Sequence, residues 1–513
     1  MQESTSGTRG GRAGAWPGAL AGAVAGLVTV GVGALVSAVA GASTDPLVAV
    51  GAAFVDATPA WLKDWATATL GTADKSALRI GEALVLLGLA ALAGVLAVRR
   101  WWWGSTLVVA LGALASAAAL ARPGAGWAAG VPSVVGTVAG LWTLRVLVDR
   151  ATRAGRGTSA DRRQLLQAAG VAAAVGAVAL VVGRTANAAG RAVASVRTTI
   201  RLPHPARPAA PVAAGVQLGV DGVGPWATPP ADFYRIDTAL VVPQVDPRTW
   251  TLRVHGLVEQ EVELTWDELL AADLVEAWVT LACVSNPVGG DLVGNQRWLG
   301  LPVREVLARA RPRGDADMVL SRSADGWTAS TPLEALTDDR DALLAVGMDG
   351  APLPVEHGFP VRLVVPGLYG YVSATKWVTE LEVTRFADAT AYWTDRGWAP
   401  RGPVKTQSRI EVPRSGASLA SGPVVVAGTA WAQHRGVTRV QVRVDDGAWL
   451  EATLADDGGI DTWRQWRFDW DATSGQHTLQ VRASDPDGPQ TGAVAEVVPD
   501  GATGYDAIVV EVA

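Results

Sequence analysis

The sequence predicts three structural classes in series: an N-terminal α-helical membrane bundle, an α+β domain, and a C-terminal all-β sandwich of immunoglobulin-like type. Three observations carry this reading. Residues 14–183 are dominated by Ala, Val, Leu and Gly in long uncharged runs, and Asp, Glu, Arg and Trp become frequent only after Pro203. Between Phe233 and about Arg401, short apolar runs mix irregularly with helical stretches. After Ser408 apolar and polar residues alternate with period two, the pattern of a half-buried strand.

With a hydrophobic fraction of 49% and a mean hydropathy of +0.22, the 513 residues are too apolar for a purely soluble chain. The organisation expected is a membrane anchor over 1–199, a Pro/Ala/Gly linker over 200–232, an α+β domain over 233–405 and a sandwich over 406–513. A net charge of −6, with no basic stripe interleaved with aromatics, excludes a nucleic-acid partner.

About five runs reach the roughly 20 residues that cross a bilayer core: approximately 16–42, 78–98, 104–122, 127–149 and 166–186. The stretch 46–70 carries Asp56, Lys63 and Asp64 and reads as an interfacial or re-entrant piece. Arg9 and Arg12 precede the first run and Arg99 and Arg100 follow the second. Arg145, Arg150, Arg153, Arg156, Arg162 and Arg163 lie between the fourth and fifth. These clusters fall on one side, which the positive-inside rule makes cytoplasmic. The expected location is therefore a multi-pass cell-membrane protein with everything after about residue 187 on the extracytoplasmic side. The stretch SADRRQLLQAAGVAAAVGAVALVV has two readings: an internally placed twin-arginine export signal, or stop-transfer charges.

The five histidines (His204, His255, His357, His434 and His477) all lie outside the apolar runs, so a haem held by paired imidazoles within the bundle is excluded. One cysteine cannot hold an iron–sulfur cluster. The runs carry few ionisable residues, which gives a transport pathway little to work with. Small-residue spacing such as Gly22 to Gly26 suits close helix packing, and the bundle reads as an anchor.

In the soluble half, TWTLRVHG, DMVLSRS and PVRLVVPG read as strands and TWDELLAA, VREVLARA and TPLEALTDD as helices. Their irregular order favours α+β over a doubly wound fold. In VTRVQVRVDDGAWLEATL, Val440, Val442 and Val444 point one way while Arg439, Gln441 and Arg443 point the other. Asp446-Gly447 is a hairpin signal. WRQWRFDW, HTLQVRAS and the terminal IVVEV continue the alternation, giving about seven short strands in roughly 105 residues, the size of an immunoglobulin-like sandwich.

Cys283 is the only cysteine in the chain. A lone cysteine is often a small buried hydrophobe. Here it ends the run WVTLAC and opens a loop with Asn286, Gly289, Gly290 and Gly294, where backbone can approach a ligand. A free thiol outside the cytoplasm is exposed to oxidation unless it is buried or bound to metal. Downstream, EHGFPVRLVVPGLYGYVSATKWVTELEV offers His357, Arg362 and Lys376 around one strand. A bidentate fork and a point charge are equipment for a phosphate, though each residue singly also reads as an ordinary loop or surface group.

Cys-x-x-Asn in a loop, HGFPVR-x-VVPG-x-x-G with a following Lys-Trp, and a strand-rich region opening with GTAWAQHRGVTRVQVRVDDGAW together resemble the sulfite oxidase family of mononuclear molybdenum enzymes, across nearly all of 230–513. The resemblance implies a Mo-molybdopterin cofactor with Cys283 as the protein's metal ligand, and His357, Arg362 and Lys376 gripping the pterin and its phosphate. Tyr234 and Arg235 in DFYRIDTALVVP match an early cofactor loop, and Thr328 or Ser330 in GWTASTP adds a hydrogen bond. Arg435 stands near a substrate-binding arginine, so the catalytic set expected is Cys283, Arg235 and Arg435, and the sandwich resembles a dimerisation domain. One departure stands out. Sulfite oxidases follow Cys-x-x-Asn almost at once with arginine, whereas Pro287-Val288-Gly289-Gly290-Asp291 follows here and Arg297 comes several residues later.

The function expected is two-electron oxo transfer on a small oxyanion, sulfoxide or similar substrate, with an external cytochrome or the quinone pool as electron partner. The alternative is a non-enzymatic membrane-anchored binding protein that presents an inactive globule and an immunoglobulin-like domain.

Overall fold

The computed structural model describes residues 15–41, 44–59, 62, 74–122, 125–154, 158–187, 191–239 and 241–513. Arg9, Arg12, Lys63, Asp64 and Arg156 lie outside the described residues. The chain divides into two units, 1–192 with 239–242 and 193–238 with 243–513.

In the first unit, among the described residues, five helices are long and apolar enough to cross a membrane: Ala15–Ala40, Ala77–Arg99, Trp101–Leu120, Trp127–Ala154 and Ser159–Ala186. Each overlaps an expected span. The last begins earlier than hydropathy alone suggests, so Arg162 and Arg163 stand in helix rather than in a connecting loop. The stretch expected at the interface contains a short apolar helix, Pro46–Ala57. Asp45 starts it by accepting the Leu47 amide at 2.9 Å, ahead of a proline that has no amide to leave unpaired. Small residues set the packing. A Cβ on Gly22 would come within 2.0 Å of the Ala90 carbonyl, and one on Gly94 within 2.0 Å of the Gly18 carbonyl, so these two helices cross at backbone distance.

The second unit begins within the helix Arg191–Thr199, whose Arg197 donates to the carbonyls of Pro352 and Leu353. The structural boundary therefore falls about seven residues before the expected end of the anchor. Residues 200–232, expected as a semi-rigid spacer, are bonded along the globule. The Ala206 amide donates to Leu274, Thr228 to Asn295, Leu218 to Gln465 and Gly224 to Glu411. Trp226 and Trp463 are buried and exchange indole-to-carbonyl bonds. A Pro-rich segment has few ladder donors, and several of those it has are bonded to the globule here.

The α+β region is built from ten strands: β1 (Thr251–Gly256), β2 (Val262–Thr265), β3 (Val275–Ala282), β4 (Val293–Pro302), β5 (Met318–Ser323), β6 (Thr328–Pro332), β7 (Leu343–Met348), β8 (Ala351–Pro352), β9 (Arg362–Val364) and β10 (Val378–Thr384). One sheet runs β2-β1-β10-β5-β6. The other runs β3-β4-β7-β8, with β9 pairing β7. Only β1 and β10 pair in parallel within these sheets, and the mixture is what the irregular order of elements predicts. The helix Trp266–Ala271 is started by a capping box in which the Thr265 hydroxyl accepts the Glu268 amide and Glu268 reaches back to the Thr265 amide. Leu252, Val254, Leu299, Leu301, Leu344 and Val365 belong to one buried cluster that joins the sheets.

The C-terminal strands are β11 (Gln407–Val412), β12 (Ser418–Leu419), β13 (Gly422–Trp431), β14 (Arg439–Val444), β15 (Leu450–Glu451), β16 (Thr453–Leu454), β17 (Arg464–Ala472), β18 (Gly475–Asp485), β19 (Gly488–Pro489) and β20 (Asp506–Val512). They form two sheets, β11-β13-β17-β16 and β12-β20-β18-β14-β15, with β19 on β18. Val440 and Val442 are buried between them with Trp466, Leu479 and Val481, as the alternation predicts. The β14–β15 turn lies at the expected place, but its left-handed residue is Asp445, one before the Asp-Gly pair. Leu479 is fully buried, so Leu479→Ala is expected to cost about 2–5 kcal/mol through lost burial and the cavity left behind. Chemical denaturation of the full chain measures it.

Candidate active site

Strand β3 delivers Cys283 to the start of a closed loop. Its amide donates to the Leu292 carbonyl at 2.9 Å, its carbonyl accepts the Asn286 amide at 3.1 Å, and Asn286 Oδ1 accepts the Leu292 amide at 2.9 Å. The thiol is free and buried. Burial pushes its pKa up, while hydrogen bonds with Ser285 and the charge of Lys376 act the other way.

Around the cysteine stand several groups that electrostatics links to one another. Arg362 opens β9 and is 4% exposed. Its guanidinium lies 5.0 Å over the Trp298 ring and donates only to main-chain carbonyls, Leu363 at 3.3 Å and His357 at 3.2 Å. Among the described residues no carboxylate forms an ion pair with it. Burial pulls its pKa down to about 10, so it remains a cation at neutral pH.

His357 is equally buried, packed against the edge of Phe233; its ring bonds the Pro230 backbone, and among the described residues its Nδ1 has no hydrogen-bond partner. Burial, reinforced by the charges of Arg362 and Lys376, lowers its pKa to about 3, leaving a neutral ring. Lys376 reaches Asp237 at 3.0 Å, and Arg235 reaches the same carboxylate at 2.9 Å. Burial takes Lys376 down to about 8 against the opposing pull of Asp237. Tyr234 stacks on Phe233 and its phenol is held well above the ordinary range, by burial first and then by Cys283.

The remaining expected residues are engaged differently. Thr328 Oγ1 accepts the Tyr392 amide at 3.0 Å, and Ser330 donates to the Pro400 carbonyl at 3.1 Å. Arg297 lies over Trp278 with Glu276 at 3.7 Å, on the strand that carries the chain away from Cys283. Arg435 donates through Nε to Asp485 at 2.7 Å and through Nη2 to the Val404 carbonyl and the Thr406 hydroxyl. Sequence reasoning did not find Asp237, Phe233 or Trp298. The two-residue spacing of Arg235 and Asp237 was a readable signal for the first. Nothing in the sequence sets Trp298 apart from the 21 other tryptophans.

His357 supplies a test in solution. The unfolded chain takes up a proton near pH 6.5, whereas the folded site refuses it until about pH 3. The stability this group contributes is therefore complete above pH 6.5 and drains as pH falls from there toward 3. The unfolding midpoint of the protein without cofactor is expected to drop with acid across that window, and His357→Gln is expected to flatten the slope.

The family profile described as the oxidoreductase molybdopterin binding domain matches residues 239–393, and the profile described as the bacterial Ig domain matches 407–481. Mitochondrial sulfite oxidase of Mus musculus is 31% identical over 289 residues, covering 47% of this chain and 53% of that protein. The uncharacterized oxidoreductase YuiH of Bacillus subtilis (strain 168) is 32% identical over 157 residues, covering 31% of this chain and 76% of the relative. The chain belongs to the sulfite oxidase family of molybdopterin oxidoreductases. It spans about half the length of the sulfite oxidases it matches. The crystal structure of the sulfane dehydrogenase SoxCD from Paracoccus pantotrophus is also similar, with 23% identity and a TM-score of 0.47 over 57% of this chain and 85% of that one.

Family membership implies a molybdopterin cofactor, and the residues on hand fit one. The buried Arg362 has no carboxylate partner among the described residues, and a phosphate would supply the missing anion. The orphaned Nδ1 of His357 and the orphaned Nδ2 of Asn286 are hydrogen-bonding positions that the described residues do not fill. A soft thiolate suits molybdenum, and coordination would deprotonate a thiol that burial otherwise keeps neutral.

Proposed function

We propose that this chain is a membrane-anchored, extracytoplasmic molybdenum oxidoreductase that performs two-electron oxo transfer on a small substrate. The observation that carries the reading is Arg362: a buried guanidinium with no carboxylate partner among the described residues, beside an imidazole whose Nδ1 is left unbonded, in the neighbourhood of the chain's one thiol. Such a cation is costly to bury alone, and an anionic ligand offsets the cost.

In this reading Cys283 holds the metal, and Arg362 and Lys376 hold the pterin phosphate. His357 stays neutral and offers Nδ1 as a hydrogen-bonding position, while Tyr234 stays a protonated phenol that donates toward the cofactor. The exposed side of Arg235 draws a substrate in, and Asp237 aligns both Arg235 and Lys376. Thr328 and Arg435 complete the proposed set. The bound group supplies the two-electron redox chemistry, and the protein supplies orientation and electrostatics.

The five apolar helices and the arginine clusters support an anchor whose following domains lie outside the cytoplasm. Electrons pass to or from an external cytochrome or the quinone pool, and the sandwich offers a surface for a homodimer. The test is reduction and reoxidation of the purified full chain against sulfite, sulfoxides, N-oxides and nitrate. At least one of these is expected to change the oxidation state of the centre at a catalytic rate. A chain purified from a cofactor-competent host that carries no molybdenum and responds to none of them contradicts the proposal.

A further inference from the structure

A cleft of about 560 Å³ opens where the end of the α+β region meets the sandwich. It lies close to Cys283. The backbone of Gly370 faces the carbonyl of Ala282, the residue before the cysteine, at a distance where a Cβ would sit 3.8 Å away. The adjoining Tyr369 is buried, donates its amide to Gly402 at 2.7 Å and accepts the Lys405 amide on its phenol oxygen at 3.3 Å. On the other side, a Cβ on Gly367 would meet the His434 side chain at 2.8 Å, so the sandwich turn that carries Arg435 rests on the same loop. Tyr369 and Gly370 thus link the wall of the cleft to the end of the strand that precedes the cysteine.

The charges on the cleft wall cancel. Its basic side chains are Arg401, Lys405 and Arg435, and its acidic ones are Asp485, Asp487 and Asp500. Lys405 is tied to Asp500 at 2.8 Å, and Arg401 faces Glu334 at 3.5 Å. Arg435 is held most firmly. Its Nε donates to Asp485 at 2.7 Å, and Asp485 is 9% exposed. That carboxylate is a built counter-ion. Its Oδ1 accepts the amides of Asp487 at 2.9 Å and Gly488 at 3.2 Å, and its Oδ2 accepts Thr406 as well as Arg435. Although burial pushes its pKa upward, these bonds hold it below the ordinary range, so it is an anion at neutral pH.

A free oxyanion entering this cleft meets a guanidinium whose charge Asp485 already balances, and it has to sit beside that nearly buried carboxylate or compete with it for Arg435. Breaking such a pair is costly, and like charges side by side add to the cost. We infer that Asp485 is a specificity-determining residue that cancels the charge of Arg435, and that the substrate of this cleft has zero net charge, an uncharged or zwitterionic molecule rather than a free oxyanion. The inference rests on the proposed function for its account of what the cleft serves. The charge selectivity itself is a property of the protein and is measured without turnover.

The probe is inorganic sulfate, titrated into the purified full chain by calorimetry. Wild type is expected to show no saturable binding in the millimolar range. Asp485→Asn keeps the shape of the side chain and removes its charge, and is expected to tighten sulfate binding about tenfold to a hundredfold, the worth of a hydrogen bond to a charged group. Adding Arg435→Gln to that variant is expected to abolish the gain. Arg435→Gln alone is expected, like wild type, to show no saturable binding, which keeps the test decisive if Asp485→Asn does not fold. Tight sulfate binding by wild type that Arg435→Gln removes, or equal binding by wild type and Asp485→Asn, overturns the inference. Because sulfate is read whether or not the centre turns over, a protein without activity that still shows the gain contradicts the proposed function and not the charge selectivity.

Discussion

Arg362→Met is expected to empty the site while leaving the protein folded. Replacing buried ion pairs by apolar side chains of similar volume is often neutral or stabilising by about 1–4 kcal/mol, and removing a charge without an ion-pair partner strands no opposite charge. Here the guanidinium is 4% exposed and, among the described residues, bonds only to the carbonyls of His357 and Leu363. The unfolding midpoint of the protein without cofactor should therefore stay level or rise. Retention of the pterin should fall by about 30-fold to 5,000-fold, because truncating one member of a desolvated charge pair costs about 2–5 kcal/mol. The two readouts move in opposite directions. A purely structural role for Arg362 would lower both, so thermal unfolding together with pterin content, measured by fluorescence after oxidative release, separates the alternatives.

The second large effect belongs to Cys283→Ser. The substitution is nearly isosteric, and the loop that holds residue 283 is closed by main-chain bonds to Leu292 and Asn286 that do not involve the thiol. The fold is therefore expected to survive. Turnover is expected to fall by at least about a hundredfold, since even residues that only support a metal ligand cost about 10–100-fold when removed. Steady-state rates normalised to bound molybdenum check this. A variant that keeps wild-type turnover would return the cysteine to the role of a small buried hydrophobe.

Some of this architecture is legible in the sequence, and the limits of legibility have physical causes. The apolar runs predict the five long helices because length and hydropathy are what a bilayer selects. The starts are harder. The last helix extends back to Ser159 because charged side chains such as Arg162 and Arg163 do not interrupt helical hydrogen bonding. The sandwich is readable because Val440 and Val442 alternate with polar neighbours, as a sheet with one buried face requires. Strands β4 and β7 are buried on both faces and carry no such alternation, so their pairing is not visible.

The region 200–232 looks like a spacer because its composition resembles one. Its attachment depends on partners such as Gln465 and Glu411, more than 180 residues away. The same holds at the site. The string from His357 to Lys376 announces itself by residue type, and Arg435 by its place in the resemblance. That Asp485 occupies Arg435 is a contact across 50 residues between two elements whose separate sequences say nothing of each other.

The central claim is that Cys283 is a ligand of molybdenum, and X-ray absorption at the molybdenum edge tests it most directly. The full-length protein would be purified from a host that makes the cofactor, alongside Cys283→Ser. The expected result is molybdenum in the wild-type protein with one more sulfur neighbour than in the variant. Wild-type protein without molybdenum, or the same sulfur count in both proteins, would contradict it.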